Sequence, residues 1–168
     1  MKVDKIYFDM DGVLADFDRG VEELCGVPHN DQESGDVARD EEIWAAIRQC
    51  EHFYDKLEPM PGALEMFRAV YEAYGDRCEI LTGIPKPKRG IVTAGEDKIR
   101  WTHRLLAPEI QVNVVYKEEK KNYCTGENCI LIDDLSANIR GWREYGGTGI
   151  HHKNSEDTIE QLKQLGVL

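Results

Sequence analysis

The apolar residues of this chain gather into five short runs separated by helical patterns. The runs are Lys5–Phe8, Cys78–Thr82, Gln111–Val115, Cys129–Ile132 and Thr148–His151. Most are near-continuously apolar, as expected of strands buried on both faces. Between them, Ala63–Tyr74 places Leu64, Phe67, Val70, Tyr71 and Tyr74 at helical spacing, with Pro61-Gly62 before it and Gly75 after it. Glu96–Leu106 reads as a second helix stopped near Pro108, and Ala137–Tyr145 as a third ended by Gly146-Gly147. A last helix runs from about Glu156 to Leu165, with Asn154 or Ser155 as its cap and acids in its first turn. Strands alternating with helices predict an α/β fold, a doubly wound parallel sheet covered on both faces.

Residues 16–58 break the rhythm. They show no strand pattern, only helix-like stretches at Asp18–Leu24 and Asp40–Cys50 around a polar linker, Pro28–Gly35. The expected organisation is therefore a core of residues 1–15 and 59–168 with a small helical unit, 16–58, inserted after the first strand. A chain of 168 residues suits such a single core with one insertion.

No apolar run approaches a membrane span, and Met1-Lys2-Val3-Asp4-Lys5 lacks the apolar region of a signal peptide. Five cysteines, an odd number with no Cys-x-x-Cys pair, point to reduced thiols in a cytoplasm. Cys124, Cys129, His151 and His152 lack the spacing of a standard zinc site. The formal charge of −11 argues against a nucleic-acid polymer as partner but not against a mononucleotide. One basic stretch, Lys86-Pro87-Lys88-Arg89, runs against this average and reads either as a phosphate contact or as a solvated loop. Gly146-Gly147-Thr148-Gly149 follows a helix rather than a strand, so a helix end and a turn explain it better than a dinucleotide loop.

The chemistry concentrates at strand ends. Ile6-Tyr7-Phe8 stops at two acids one residue apart, Asp9 and Asp11, and then Gly12. Acids at the carboxyl end of a central strand stand where open α/β sheets bind ligands, and two charges there need a partner, most simply a divalent cation. The spacing excludes an EF-hand, whose third acid and glycine would fall on Val13 and Leu14. Cys129-Ile130-Leu131-Ile132 likewise ends in Asp133-Asp134, and the Cys78 run ends in Thr82-Gly83.

Asp9-Met10-Asp11-Gly12-Val13-Leu14-Ala15-Asp16-Phe17 resembles the first motif of the haloacid dehalogenase superfamily of phosphohydrolases, and most of all its 5′(3′)-deoxyribonucleotidase branch. Leu57-Glu58-Pro59-Met60-Pro61-Gly62-Ala63 is similar to the same nucleotidases, so the resemblance spans most of the chain. It implies that Asp9 is a nucleophile forming an aspartyl phosphate and that Asp11 is the general acid and base. It implies Mg²⁺ held by Asp9, Asp134 and the backbone carbonyl of Asp11, with Asp133 behind them. Thr82 and the N–H after it, at Gly83, would hold phosphoryl oxygens; Gly83 stands where the animal nucleotidases often have Ser. Lys120, three before Tyr123, falls in the register of the family's phosphate-facing lysine, with Lys117 and Lys121 close enough to compete. Gly95-Glu96-Asp97-Lys98-Ile99-Arg100-Trp101 resembles a family helix start, in which Trp101 is expected to pack and Lys98 to be a surface charge.

By the same resemblance, the insertion becomes a short cap over the site. Phe17 matches a phenylalanine of the nucleotidase base pocket, while Trp44 and Phe53 either extend that aromatic wall or pack the cap itself. The expectation is a Mg²⁺-dependent phosphomonoester hydrolase acting on a nucleoside monophosphate, first of all a deoxyribonucleotide. A phosphatase for another small metabolite is the first alternative, and a non-catalytic phospholigand-binding protein the second. A homodimer is compatible with the resemblance.

Overall fold

The computed structural model describes residues 1–31 and 33–168. Five strands, β1 (Lys5–Phe8), β2 (Cys78–Gly83), β3 (Val112–Val115), β4 (Cys129–Asp133) and β5 (Thr148–His151), form one parallel sheet in the order β3-β2-β1-β4-β5. The helices between them are α3 (Ala63–Tyr74), α4 (Ala94–Leu105), α5 (Ser136–Glu144) and, after β5, α6 (Ser155–Gln164). These bounds lie close to those expected from the periodicity; α4 begins two residues earlier than its pattern suggested.

Alternation along the strands divides the core in two. Ile6, Phe8, Ile80, Ile130 and Ile132 pack on one face with Met66, Phe67 and Val70 of α3 and Leu162 of α6. Tyr7, Leu81 and Leu131 pack on the other face with Ile139 and Trp142 of α5. A parallel strand covered on both sides has no polar face, which is why these runs are almost wholly apolar. The chain leaves β1 for β2 and β3, then crosses back to β4 on the other side of β1. That reversal creates a switch point between β1 and β4, where the two acidic strand ends lie side by side. The register pairs Phe8 with Ile132, so Asp9 and Asp133 are the next residues on each strand.

Between β1 and α3 the chain forms α1 (Phe17–Cys25), α2 (Val37–Gln49) and a 3₁₀ turn, Phe53–Lys56. Asp16 and Asp36 cap the two helices, accepting from the backbone N–H of Arg19 and Arg39. The outgoing and returning strands of chain are tied together by Asp16 N–H to the Glu58 carbonyl and Met60 N–H to the Leu14 carbonyl, both 2.8 Å. The Trp101 indole N–H donates to the Leu57 carbonyl at 2.7 Å from within the core, where Trp101 is fully buried. All five cysteines are free thiols. Among the described residues no helix is long and apolar enough to cross a membrane.

His152 sets part of the pH dependence of stability. It is buried after β5, with Nδ1 2.7 Å from the Thr158 hydroxyl. Burial, which penalises the charged ring, pushes its pKa down to about 4. The folded value lies below the ordinary one of about 6.5, so its contribution is complete above that pH and is lost as pH falls toward 4. Urea unfolding from pH 7 to 4 should show the wild type losing up to about 3 kcal/mol more than His152→Gln. Parallel curves for the two proteins would contradict this.

Candidate active site

Three strand ends and one helix converge at the switch point. Asp9 and Asp11 follow β1, Thr82 and Gly83 end β2, Asp133 ends β4 and Asp134 follows it. The Asp9 N–H bonds the Ile132 carbonyl at 2.9 Å, carrying the β1–β4 ladder one step past the strand and holding Asp9 beside Asp133. Gly12 makes room for this gathering. Its φ is +81°, and a Cβ there would lie 2.2 Å from Asp134 Oδ2. The turn after Asp11 therefore needs glycine twice, for its backbone and for the carboxylate that passes over it.

Two buried ammonium groups hold these acids. Lys120, on a 3₁₀ segment (Lys117–Tyr123), donates to Asp9 Oδ1 at 2.7 Å and Asp133 Oδ2 at 2.8 Å. Burial alone would lower its pKa, but Asp9 and Asp133 outweigh this and hold it above its ordinary value. Lys98, on α4, donates to Asp11 Oδ2 at 2.7 Å, Thr82 Oγ1 at 3.0 Å and the Gly83 carbonyl at 2.6 Å. Its ammonium also sits 4.5 Å from the centroid of the Tyr54 ring. The expectation that Lys98 is a surface charge is thus wrong, since the residue is fully buried. The spacing puts Lys98, three residues before Trp101, on the helix face of that tryptophan, and the structure turns this face inward. His52 and Thr93 both bond the buried Asp97, at 2.8 Å each, and so fix the turn carrying Tyr54 to the helix carrying Lys98.

The acids differ in what they have left to offer. Asp133 is spoken for: beyond Lys120, it accepts from the Leu135 N–H at 2.9 Å and the Asn138 amide at 3.0 Å. Asp134 Oδ1 and Asp11 Oδ1 are buried without any hydrogen-bond partner. Burial, followed by repulsion from Asp9 and Asp133, pushes the Asp134 pKa up to about 9. Asp9, Asp133 and Asp134 can bring one oxygen each within 4.8 Å of one another, the one group of metal-ligand character among the described residues. An all-carboxylate set with unsatisfied buried oxygens fits a hard divalent cation such as Mg²⁺. Since the oxygens of Asp133 are occupied, Asp134 is the free member of the pair. Cys124, Cys129, His151 and His152 each bond elsewhere; His151 Nε2 meets the Asp134 carbonyl at 2.9 Å.

A cavity of about 440 Å³ opens above these groups, roofed by the inserted helices. Phe17, Ile43, Trp44 and Tyr54 line its apolar side, and Asp9, Asp11, Lys120 and Asp134 its floor. Trp44 thus reaches the cavity, whereas Phe53 does not line it. Phe53 is buried behind Phe17, with ring centroids 5.6 Å apart, and so packs the insertion's own core. Tyr54, Asn30 and Asp40 line the cavity without having been expected there. The basic stretch 86–89 borders the cavity, but Lys86 pairs with Glu118 at 2.8 Å and Arg89 pairs with Glu41.

No protein-family model matches the chain. A protein of Vibrio phage KVP40, provisionally named a 5′(3′)-deoxyribonucleotidase, is 29% identical over 158 residues, covering 92% of this chain and 80% of its own. The cytosolic-type 5′(3′)-deoxyribonucleotidase of Homo sapiens is 28% identical over 158 residues, covering 83% of this chain and 74% of its own. Among solved structures, a haloacid dehalogenase superfamily hydrolase from Ehrlichia chaffeensis superposes with a TM-score of 0.57 at 17% identity, over 98% of each chain. A hydrolase from Pseudomonas syringae superposes at 0.56 and 15% identity, over 96% of this chain and 98% of its own. The structural neighbours share the fold.

Proposed function

We propose that this chain, a phosphohydrolase of the haloacid dehalogenase superfamily that resembles the 5′(3′)-deoxyribonucleotidases, hydrolyses a nucleoside monophosphate through an aspartyl phosphate on Asp9. One observation carries this reading. The Asp9 carboxylate, the Asp11 carboxylate with one unpartnered oxygen, and two buried ammonium groups meet under an aromatic-walled cavity. The core is residues 1–15 and 59–168, and residues 16–58 act as the cap.

Lys120 holds Oδ1 of Asp9, leaving the other oxygen to attack phosphorus. Thr82 Oγ1 accepts from Lys98, so its own proton is free to bond a phosphoryl oxygen. The Gly83 N–H supplies a second donor. Asp11 is held through Oδ2, and its unpartnered Oδ1 hands a proton to the departing nucleoside oxygen. The same oxygen then takes a proton from the water that attacks the Asp9 acyl phosphate, releasing inorganic phosphate and restoring both acids. Asp9, Asp134 and the Asp11 backbone carbonyl would hold Mg²⁺, which supplies charge neutralisation for phosphate among carboxylates. Phe17 and Trp44 offer faces for a base to stack on.

Phosphate release should be measured across nucleoside monophosphates, sugar phosphates and an aryl phosphate, with Mg²⁺ and with a chelator. Chelator-sensitive release, greatest from deoxyribonucleotides, is the expected result. Preference for sugar phosphates would replace the nucleotidase with a general metabolite phosphatase. Gly12→Ala tests the crowding at the turn. A positive φ costs a side chain about 1–2 kcal/mol, and the new methyl must push Asp134 aside. Turnover should fall about 100-fold and half-maximal activity should need more Mg²⁺, since small misplacements at a reacting centre have effects of that size. Wild-type kinetics from this variant would mean that the position of Asp134 is unimportant.

A further inference from the structure

Asp40 has no role in the chemistry at the floor, yet it lines the cavity from the cap side. It stands in the first turn of α2, with Ile43 and Trp44 three and four residues on, so the three share the helix face that borders the cavity. Asn30 holds it in place: the amide donates to Asp40 Oδ1 at 2.9 Å and to the Asp36 carbonyl at 3.4 Å, and accepts from the Ser34 hydroxyl at 3.1 Å. The Asn30 side chain thus bonds through both its nitrogen and its oxygen. Asp40 Oδ2 has no hydrogen-bond partner among the described residues, and Asp40 enters no ion pair there. This holds although three cations, Lys86, Lys88 and Arg89, border the same cavity. Lys86 and Arg89 turn to Glu118 and Glu41 instead, with Arg89 lying 5.5 Å from the centroid of the Trp44 ring. A carboxylate fixed through one oxygen, beside an aromatic wall and without a counter-ion, is an acceptor awaiting a donor.

We propose that Asp40, positioned by Asn30, determines leaving-group specificity by accepting an N–H from an exocyclic amino group on the base. This rests on the nucleotidase reading above and names the bases it favours. A ring amino group, as in cytosine, meets the carboxylate as a donor, whereas a keto oxygen at the same place, as in uracil, faces it as a second acceptor and is repelled. The selection is for the amino-bearing bases over the keto pyrimidines.

Deoxycytidine and deoxyuridine monophosphates differ in this group and in N3, an acceptor in cytosine and a donor in uracil, so the ratio of their kcat/KM values reads that edge of the base, and dCMP against its N4,N4-dimethyl derivative isolates the amino N–H. The wild type should favour dCMP about tenfold, since one hydrogen bond gained or left unpaired has about that effect. Asp40→Asn offers a donor as well as an acceptor and should bring the ratio close to one. Asn30→Ala should lower the ratio partway, through KM. A wild-type ratio of one or less, or a ratio untouched by Asp40→Asn, overturns the inference while the nucleotidase reading stands. Turnover of O-phosphoethanolamine as fast as dCMP, an amine without a ring, overturns it too. If neither nucleotide is hydrolysed but an aryl phosphate is, the nucleotidase reading fails. The inference, which rests on that reading, then falls with it.

Discussion

Asp9→Asn should abolish turnover, by about 10⁴-fold or more, while the protein remains folded. An amide has nearly the shape of the carboxylate but cannot form the acyl phosphate, and removing a covalent nucleophile has effects of at least this size. The substitution also removes one of the negative charges crowded around Asp134, whose pKa stands at about 9, owing to burial first and to Asp9 second. The ion pair with Lys120 is lost at the same time, but Lys120 keeps Asp133, so the two effects oppose and the thermal midpoint should stay close to that of the wild type. The two readouts belong together. Lost activity with a lowered midpoint would indicate a damaged fold, and retained Mg²⁺-dependent activity would remove Asp9 as the nucleophile.

The second large effect is expected at Lys120. Its ammonium is buried between Asp9 and Asp133, and its pKa is raised by both, so it is charged throughout the working range. Lys120→Met keeps the length of the side chain and removes the charge. Breaking a buried pair leaves carboxylates uncompensated, which costs about 3 kcal/mol of stability, and the phosphate loses an electrostatic partner worth about 10³-fold in rate. Lys117 and Lys121 are exposed, and alanine at either should change activity by no more than about threefold. Urea unfolding and phosphate release on the three variants test this directly. Equal and small effects would mean that the lysine is not where the site's charge balance is set.

The contrast between Lys120 and Lys98 marks how far sequence reasoning reached. Lys120 could be singled out because the family pattern that the chain resembles sets a lysine after a strand and three before an apolar residue, here Val114-Val115-Tyr116 and Tyr123, with Lys117 and Lys121 as its competitors. Lys98 sits in a helix among Glu96, Asp97 and Arg100, and a charged helix face is normally solvated. What overrides that rule is a set of partners supplied by other elements: Asp11, Thr82, Gly83 and the Tyr54 ring. A lysine is buried only where such partners converge, and their convergence is a property of the folded chain.

Local physics was enough for the sheet. Apolar runs of strand length, helical periodicity and glycine or proline at the boundaries act over a few residues, and they determine α/β class, element order and the acids at the strand ends. The division between Asp133 and Asp134 is different in kind. Both are aspartates in one dipeptide, and which of them keeps an oxygen free depends on where Lys120, the Leu135 N–H and Asn138 lie in space. The same holds in the insertion. Phe53 and Trp44 are both aromatics at helical or turn positions, but one is buried behind Phe17 and the other borders the cavity. Asn30 and Asp40, ten residues apart in the chain, become one acceptor only when Asn30 comes to lie against α2. Periodicity fixes which face of an element is apolar; only tertiary packing decides what that face meets, because a side chain's partners come from remote parts of the chain.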